Sequence, residues 1–328
     1  MTTPTTSRGR RVAGALGRFA LGVCILGGLI WFLGPDWEEV GRRLDVDPGF
    51  FALGLLGTTC AAALGALRWR LLNEHLTPTR LPYATYFHYV ALTRLIGQFS
   101  SMLLMEFVGR GVGLRTAGAK PGLGQLVTPV ILERVVDVIF PSITLLWAIA
   151  WHTSTGPDTG WVESLAGVLL VAALAIVPLV RPAARVILWT YGRVLRWRGR
   201  DFEAPEVVVP VKLAVAVTVL GLGRYLSVLL QFFGIGAAVG AVRDAGVVAS
   251  AFPVSQLSAI VAITPGGLGI QDAGWAGALT WQGVDETSIA MFVLAIHAGI
   301  VINFGILSVL TLPVAGRRST MPGKEPPA

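Results

Sequence analysis

Residues 263–274 read Ile-Thr-Pro-Gly-Gly-Leu-Gly-Ile-Gln-Asp-Ala-Gly, and the chain on either side is apolar enough to lie in a bilayer. A proline and closely spaced glycines interrupt regular backbone, and the N–H and C=O groups they release find no partner in hydrocarbon. The stretch must be buried in protein or line a wet cavity. Pro-Gly-Gly, then Gln-Asp, then Ala, Gly and Trp read as a break followed by a fresh helix, with Asp272 in its first turn, where negative charge suits the helix dipole. The plain reading is a surface turn with Asp272 as a helix cap. The sharper one is a half-helix that opens inside the membrane and offers a site to a charged group.

The rest of the chain decides between them. Of 328 residues, 54% are hydrophobic and 14% charged, and several apolar runs approach or exceed the ~20 residues a spanning helix needs. The expected fold is an all-α, polytopic integral membrane protein. A single transmembrane domain, residues 12–314, lies between tails at 1–11 and 315–328 that are expected to be disordered. Cys24 and Cys60 fall within apolar runs and read as small core residues rather than a disulfide.

Full spans are expected at 12–34, 49–67, 128–151, 161–180, 210–234 and 289–314. Residues 34–48 are expected to form a short interfacial helix. Residues 181–200, with six arginines among Trp189, Tyr191 and Trp197, read either as an amphipathic helix on the headgroups or as a solvated basic loop.

Basic residues assign sides. The amino terminus and the segments 68–80, 110–120, 181–212 and 317–324 carry most of them and belong in the cytoplasm, whereas 151–161 and 281–287 contain none and belong outside. Segment 81–120 then enters and leaves on the inner side, and 248–281 on the outer side. Each is expected to be a re-entrant hairpin, added to six full spans. Of the 26 basic residues, Arg42, Arg43 and Arg243 fall outside and Arg94, Arg134 and Arg224 at membrane depth, leaving 20 in the cytoplasm. The net charge of +7 therefore follows the membrane and does not point to nucleic acid. Both termini are expected in the cytoplasm of a cell-membrane protein. Span, inner hairpin, span set against span, outer hairpin, span is the inverted-repeat pattern of many alternating-access transporters.

Charges at depth are costly and normally face a protein interior or a water-filled path. Glu133 and Asp137 share a helix face, with Arg134 about 100 degrees round from Glu133, and Arg94 and Arg224 are candidate partners. They are either ion pairs that fix helix packing or a cavity that takes an anionic headgroup on arginine, with the carboxylates serving a cationic moiety, a proton or positioning. The candidate substrate-binding residues are Arg94, Gln98, Arg110, Glu133, Arg134, Asp137 and Arg224, with Pro265, Gly266, Gly267, Gly269, Gln271 and Asp272 from the break. His297 is a further candidate for proton chemistry, though a lone histidine at an apolar site is more often simply packed.

Three motifs in order resemble the transmembrane region of the lysylphosphatidylglycerol synthases and their synthase-less, flippase-like relatives. They are Leu67-Arg68-Trp69-Arg70-Leu71-Leu72, Leu132-Glu133-Arg134-Val135-Val136-Asp137, similar to the family's Glu-Arg-x-x-Asp, and Pro265-Gly266-Gly267-Leu268-Gly269-Ile270-Gln271-Asp272. Gly283-Val284 fits the Gly-Val that follows, and the resemblance covers residues 64–310. Two positions depart from the pattern. Asp272 stands where the family has Glu, and Met105-Glu106-Phe107-Val108-Gly109-Arg110 keeps only the second glycine of Pro-Gly-x-x-Gly-Glu and puts arginine in the acid's place.

The resemblance implies binding or movement of a lipid with a charged headgroup: a phospholipid, an aminoacyl-phospholipid or a polyprenyl-linked lipid. It does not imply synthesis, since the aminoacyl-transferring domain has no counterpart in the 328 residues. No cofactor is expected, no phosphate-binding loop motif is present, and the partners expected are membrane lipids with anionic headgroups. The residues leave oligomeric state open. A transporter rather than an enzyme is expected, against two alternatives: an intramembrane lipid-modifying enzyme using Glu133 and Asp137, and a non-transporting scaffold for cell-envelope enzymes.

Overall fold

The computed structural model describes residues 23–154, 160–197, 209–261 and 264–315. The expected tail at 1–11, residues 12–22 of the expected first span and residues 316–328 lie outside the described residues. Every apolar run within them is helical, because a backbone in lipid must satisfy its own hydrogen bonds.

The chain opens with α1 (Val23–Leu33) and a short α2 (Trp37–Arg43), where an interfacial helix was expected. Asp36 caps α2 by accepting from the Glu38 and Glu39 N–H groups at 3.0 and 3.1 Å. The long α3 (Pro48–Leu76) starts on Asp47, which accepts from Gly49 N–H at 2.8 Å, with Pro48 at its first position. It does not stop at Arg68-Trp69-Arg70 as the basic pair suggested. It runs on to Leu76, with Arg68 and Trp69 buried.

A first hairpin follows. Its descending arm is α4 (Tyr83–Phe99), and its break lies at Ser100–Ser101. The returning arm joins α5 (Met102–Leu104), a π-helical turn (Met105–Gly109) and α6 (Arg110–Thr116). The motif at 105–110 therefore falls within helix, past the turn. Glycines of this arm serve close packing: a Cβ on Gly109 would sit 3.2 Å from Thr93 Cγ2, and one on Gly113 2.4 Å from the Tyr89 ring, both on the opposite arm.

Next come α7 (Leu123–Ser154) and α8 (Trp161–Trp197). The basic end of α8 is neither a separate interfacial helix nor a loop. It continues the span as one helix of 37 residues, roughly 55 Å long, well beyond the ~30 Å hydrocarbon layer. Arg185, Trp189, Arg193 and Trp197 line one exposed face of that extension, and the Arg193 guanidinium lies 5.3 Å from the Trp189 ring centroid.

The second half repeats the order. A long α9 (Val211–Ala238) leads to a hairpin of α10 (Ala245–Val261) and α11 (Ile270–Trp281), and then to α12 (Glu286–Ala315). By length and apolarity α3, α9, α12 and the Val162–Leu179 part of α8 are able to cross a membrane. α7 has the length, at 32 residues, but carries Glu133, Arg134 and Asp137.

The two halves exchange their hairpins. α4 packs on α12, and α10 packs on α7. The central seam is α3 against α9, where small residues bring backbones together. A Cβ on Gly57 would lie 2.5 Å from Gln231 N, and one on Gly234 would lie 2.4 Å from Gly54 N. At the other seam the hairpin tips meet: Ser101 and Pro265 form an antiparallel bridge, and Gly266 N–H donates to the Gly97 carbonyl at 2.9 Å.

Two outcomes follow from these contacts. Gly57→Val should cost roughly 1–3 kcal/mol through overpacking of the α3–α9 seam, read as a lower melting temperature in detergent. Gly277→Ala, which meets nothing within 4 Å, should leave it unchanged. The pair Ser101→Cys and Pro265→Cys should crosslink under mild oxidation, because bridged residues lie within disulfide reach.

Candidate functional site

The buried arginines, Glu106, Glu133 and Asp137 form one network under the hairpin tips. Glu133 on α7 lies between two arginines from other elements: Arg110 Nη1 donates to its Oε2 at 2.9 Å, and Arg68 Nε lies 3.7 Å from its Oε1. One turn along, Asp137 Oδ1 is held by Arg68 at 2.8 Å and Arg224 at 3.1 Å, and Arg134 approaches Oδ2 at 3.9 Å. Glu106, on the π-helical turn, pairs with both Arg94 and Arg134. Five guanidinium groups thus face three carboxylates, a formal excess of two positive charges.

The arginines divide by exposure. The side chains of Arg68 and Arg110 are 1% and 4% exposed, whereas Arg94, Arg134 and Arg224 keep 20%, 28% and 16%. That remaining surface opens into a cavity of about 250 Å³ bounded by both hairpins, α3, α7, α9 and α12. Arg68 stands behind this wall and Arg110 lines it almost fully buried; both serve as counter-ions to its carboxylates. Arg110 also lies over the Trp69 ring at 5.4 Å, which ties the first hairpin to α3.

The rest of the lining differs in chemistry. Gln98, Gln231, Gln256 and Gln271 reach it from α4, α9, α10 and α11. Asp272 is buried there with both oxygens engaged: Oδ2 accepts from Gly269 N–H at 2.7 Å, and Oδ1 lies 2.8 Å from His297 Nε2 on α12. Gly269 takes φ +81°, and Gly266, at φ +62°, has its Cβ position 3.0 Å from Gln98 Oε1, so neither site accommodates a side chain.

Of the candidate residues, Arg94, Gln98, Arg110, Arg134, Asp137, Arg224, Gly266, Gly267, Gln271 and Asp272 line the cavity. The other three support it from outside the lining. Glu133 is enclosed by Arg68 and Arg110, Pro265 makes the tip bridge, and Gly269 starts α11. Arg68 and Arg110, counted as cytoplasmic from the sequence, belong to the buried network. Glu106, Gln231, Gln256 and His297 line the cavity as well and were not among the substrate-binding candidates. Glu106 carried a signal, a carboxylate four residues before Arg110 in an apolar hairpin. His297 carried one as well, an ionisable residue in an apolar span, whereas Gln231 and Gln256 carried none, since each is a single amide in an apolar segment.

Three segments far apart in sequence therefore converge on one cavity: Arg68, the Glu133-Arg134-Asp137 turn, and Gly266–Asp272. Residues 19–307 match the family model described as the lysylphosphatidylglycerol synthase TM region. The chain belongs to that family. No curated protein and no solved structure matches it. As a lysylphosphatidylglycerol synthase TM region with several membrane-length apolar helices, it is a multi-pass membrane protein related to lipid handling.

Removing one partner of a buried ion pair strands the other charge. Glu133→Gln leaves Arg68 and Arg110 short of a counter-ion and should cost about 3–5 kcal/mol, seen as a large fall in melting temperature. Glu74→Gln breaks the more exposed 2.8 Å pair with Arg70 and should cost about 0–1 kcal/mol.

Proposed function

We propose that this protein is a lipid carrier of the cell membrane, which binds the anionic headgroup of a lipid in its central cavity and moves it between leaflets. One observation carries the reading. The cavity wall holds Arg94, Arg134 and Arg224 with surface to spare, in a network where guanidinium groups outnumber carboxylates by two. An excess of positive charge is expensive at membrane depth and is relieved by a bound anion.

The architecture supports movement. The hairpins are re-entrant from opposite faces and meet near the midplane, both termini are cytoplasmic, and the two halves alternate in exposing the cavity. Exchange of hairpins between the halves and contact of their tips through backbone bonds fit this scheme. Chemistry on the lipid is the weaker reading. Glu133 and Asp137, the carboxylates available for acid–base or metal work, are each taken up by two or more arginines.

The test is a leaflet assay with fluorescent anionic phospholipid in liposomes containing purified protein. Arg134→Ala and Asp272→Ala should slow movement roughly tenfold or more, as loss of a charge-assisted hydrogen bond implies. Product formed from labelled lipid would favour an enzyme. Equal rates in wild type, both variants and empty liposomes would defeat the transport reading and leave a scaffold.

A further inference from the structure

The cavity is lined by uncharged carboxamides as well as by the arginines, and these constrain what part of a headgroup it receives. We infer that the substrate is a lipid whose phosphate carries an uncharged polyol or sugar, and that an aminoacylated or other amine-bearing headgroup is disfavoured. The inference rests on the proposed reading of the cavity as a headgroup site.

A cationic headgroup needs a free carboxylate, and the site supplies none. Glu106 is paired with Arg94 and Arg134, and Asp137 with Arg68, Arg224 and Arg134. Glu133 is enclosed by Arg68 and Arg110 behind the wall. Asp272 spends one oxygen on the start of α11 and the other on His297. An ammonium group entering here meets a net positive network with every counter-charge occupied. Hydroxyl groups meet the reverse situation. Gln231 and Gln256 line the cavity, and their side chains make no hydrogen bond among the described residues. Gln271 gives Nε2 to Ser255 Oγ at 3.2 Å, and Gln98 makes one long contact, 3.4 Å, to the Arg94 carbonyl. Each carboxamide both donates and accepts, as a hydroxyl does, so the two match in either sense. A polyol phosphate laid across the cavity puts its phosphate on the arginines and its hydroxyls on these amides.

The experiment titrates the purified full chain in detergent with three short-chain lipids of equal acyl length, following thermal stabilisation. Phosphatidylmethanol offers the phosphodiester alone, phosphatidylglycerol adds hydroxyls, and lysylphosphatidylglycerol adds ammonium groups; diacylglycerol is the headgroup-free reference. Phosphatidylglycerol should bind roughly tenfold more tightly than either other phospholipid, the gain expected from one or two added hydrogen bonds. Gln256→Leu should bring phosphatidylglycerol down to the level of phosphatidylmethanol. Gln231→Leu should act in the same way, and Gln256, the less buried, keeps the test open if that variant fails to fold. Equal binding of phosphatidylglycerol and phosphatidylmethanol, or lysylphosphatidylglycerol binding as tightly as phosphatidylglycerol, would overturn the inference and leave the anionic headgroup reading standing. Binding of all three no better than diacylglycerol would overturn that reading, and the inference with it.

Discussion

An ionised side chain in the bilayer interior must find an opposite charge or pull the protein out of shape, and this fold is built around how three carboxylates meet that demand. Asp137 joins α7 to Arg68 on α3 and Arg224 on α9; Glu133 joins α7 to α3 and to Arg110 on α6; Glu106 joins the first hairpin's two arms through Arg94, and to α7 through Arg134. Three long helices and a hairpin are thereby held in one register. Such pairs add little net stability, since desolvation offsets most of the attraction. Their value lies in specificity: a slip of any one helix strands a charge in a low-dielectric site. The five-to-three ratio means that the same network which sets the register also leaves positive charge over at the cavity wall.

The sequence displayed the long helices plainly, because an apolar run must be helical in lipid whatever its neighbours do. It displayed the second break equally well, since Pro265, Gly266, Gly267 and Gly269 have no regular alternative; three of them take positive φ. The first hairpin was harder. Gly109, Gly111 and Gly113 resemble turn residues, yet the chain turns at Ser100–Ser101, and Gly113 exists to let Tyr89 approach. A glycine kept for a neighbour's bulk and one kept for a turn look alike in a string of letters. Arg68 shows a related limit. At the end of an apolar run beside Trp69, it reads as a snorkelling anchor, and only its position between Glu133 and Asp137 in space shows it to be the opposite, an interior counter-ion.

The two halves share a plan and differ in chemistry. Each contributes a long helix to the α3–α9 seam, a broken hairpin and a closing helix, and each lends its hairpin to the other's closing helix. The three carboxylates and four of the five arginines of the network nonetheless belong to the first half, with Arg224 the second half's contribution. The second half supplies three of the four amides and the Asp272–His297 pair. A cavity between them is therefore lined by both charged and neutral, hydrogen-bonding groups. The charged motifs were visible in the sequence because charge is rare in apolar segments. Gln98, beside a buried arginine, and Gln271, within the break, were visible with them; Gln231 and Gln256 were not, because a single glutamine in an apolar helix stands out from nothing.

The two seams between the halves differ in kind, and the difference bears on any alternating motion. Along α3 and α9 the backbones touch over several turns through Gly54, Gly57 and Gly234, with side chains too small to repack. A closely packed interior of this sort tolerates rotation about the seam far better than separation across it. The tips meet through the Ser101–Pro265 bridge and the Gly266–Gly97 hydrogen bond. Each bond is worth about 0.5–1.5 kcal/mol net, provided water replaces it when it opens. The polar cavity beside the tips is open to such water. The cheap seam thus lies next to the cavity and the costly one holds the halves together, the ordering that the proposed carrier would require if its cavity is to open without the membrane domain coming apart.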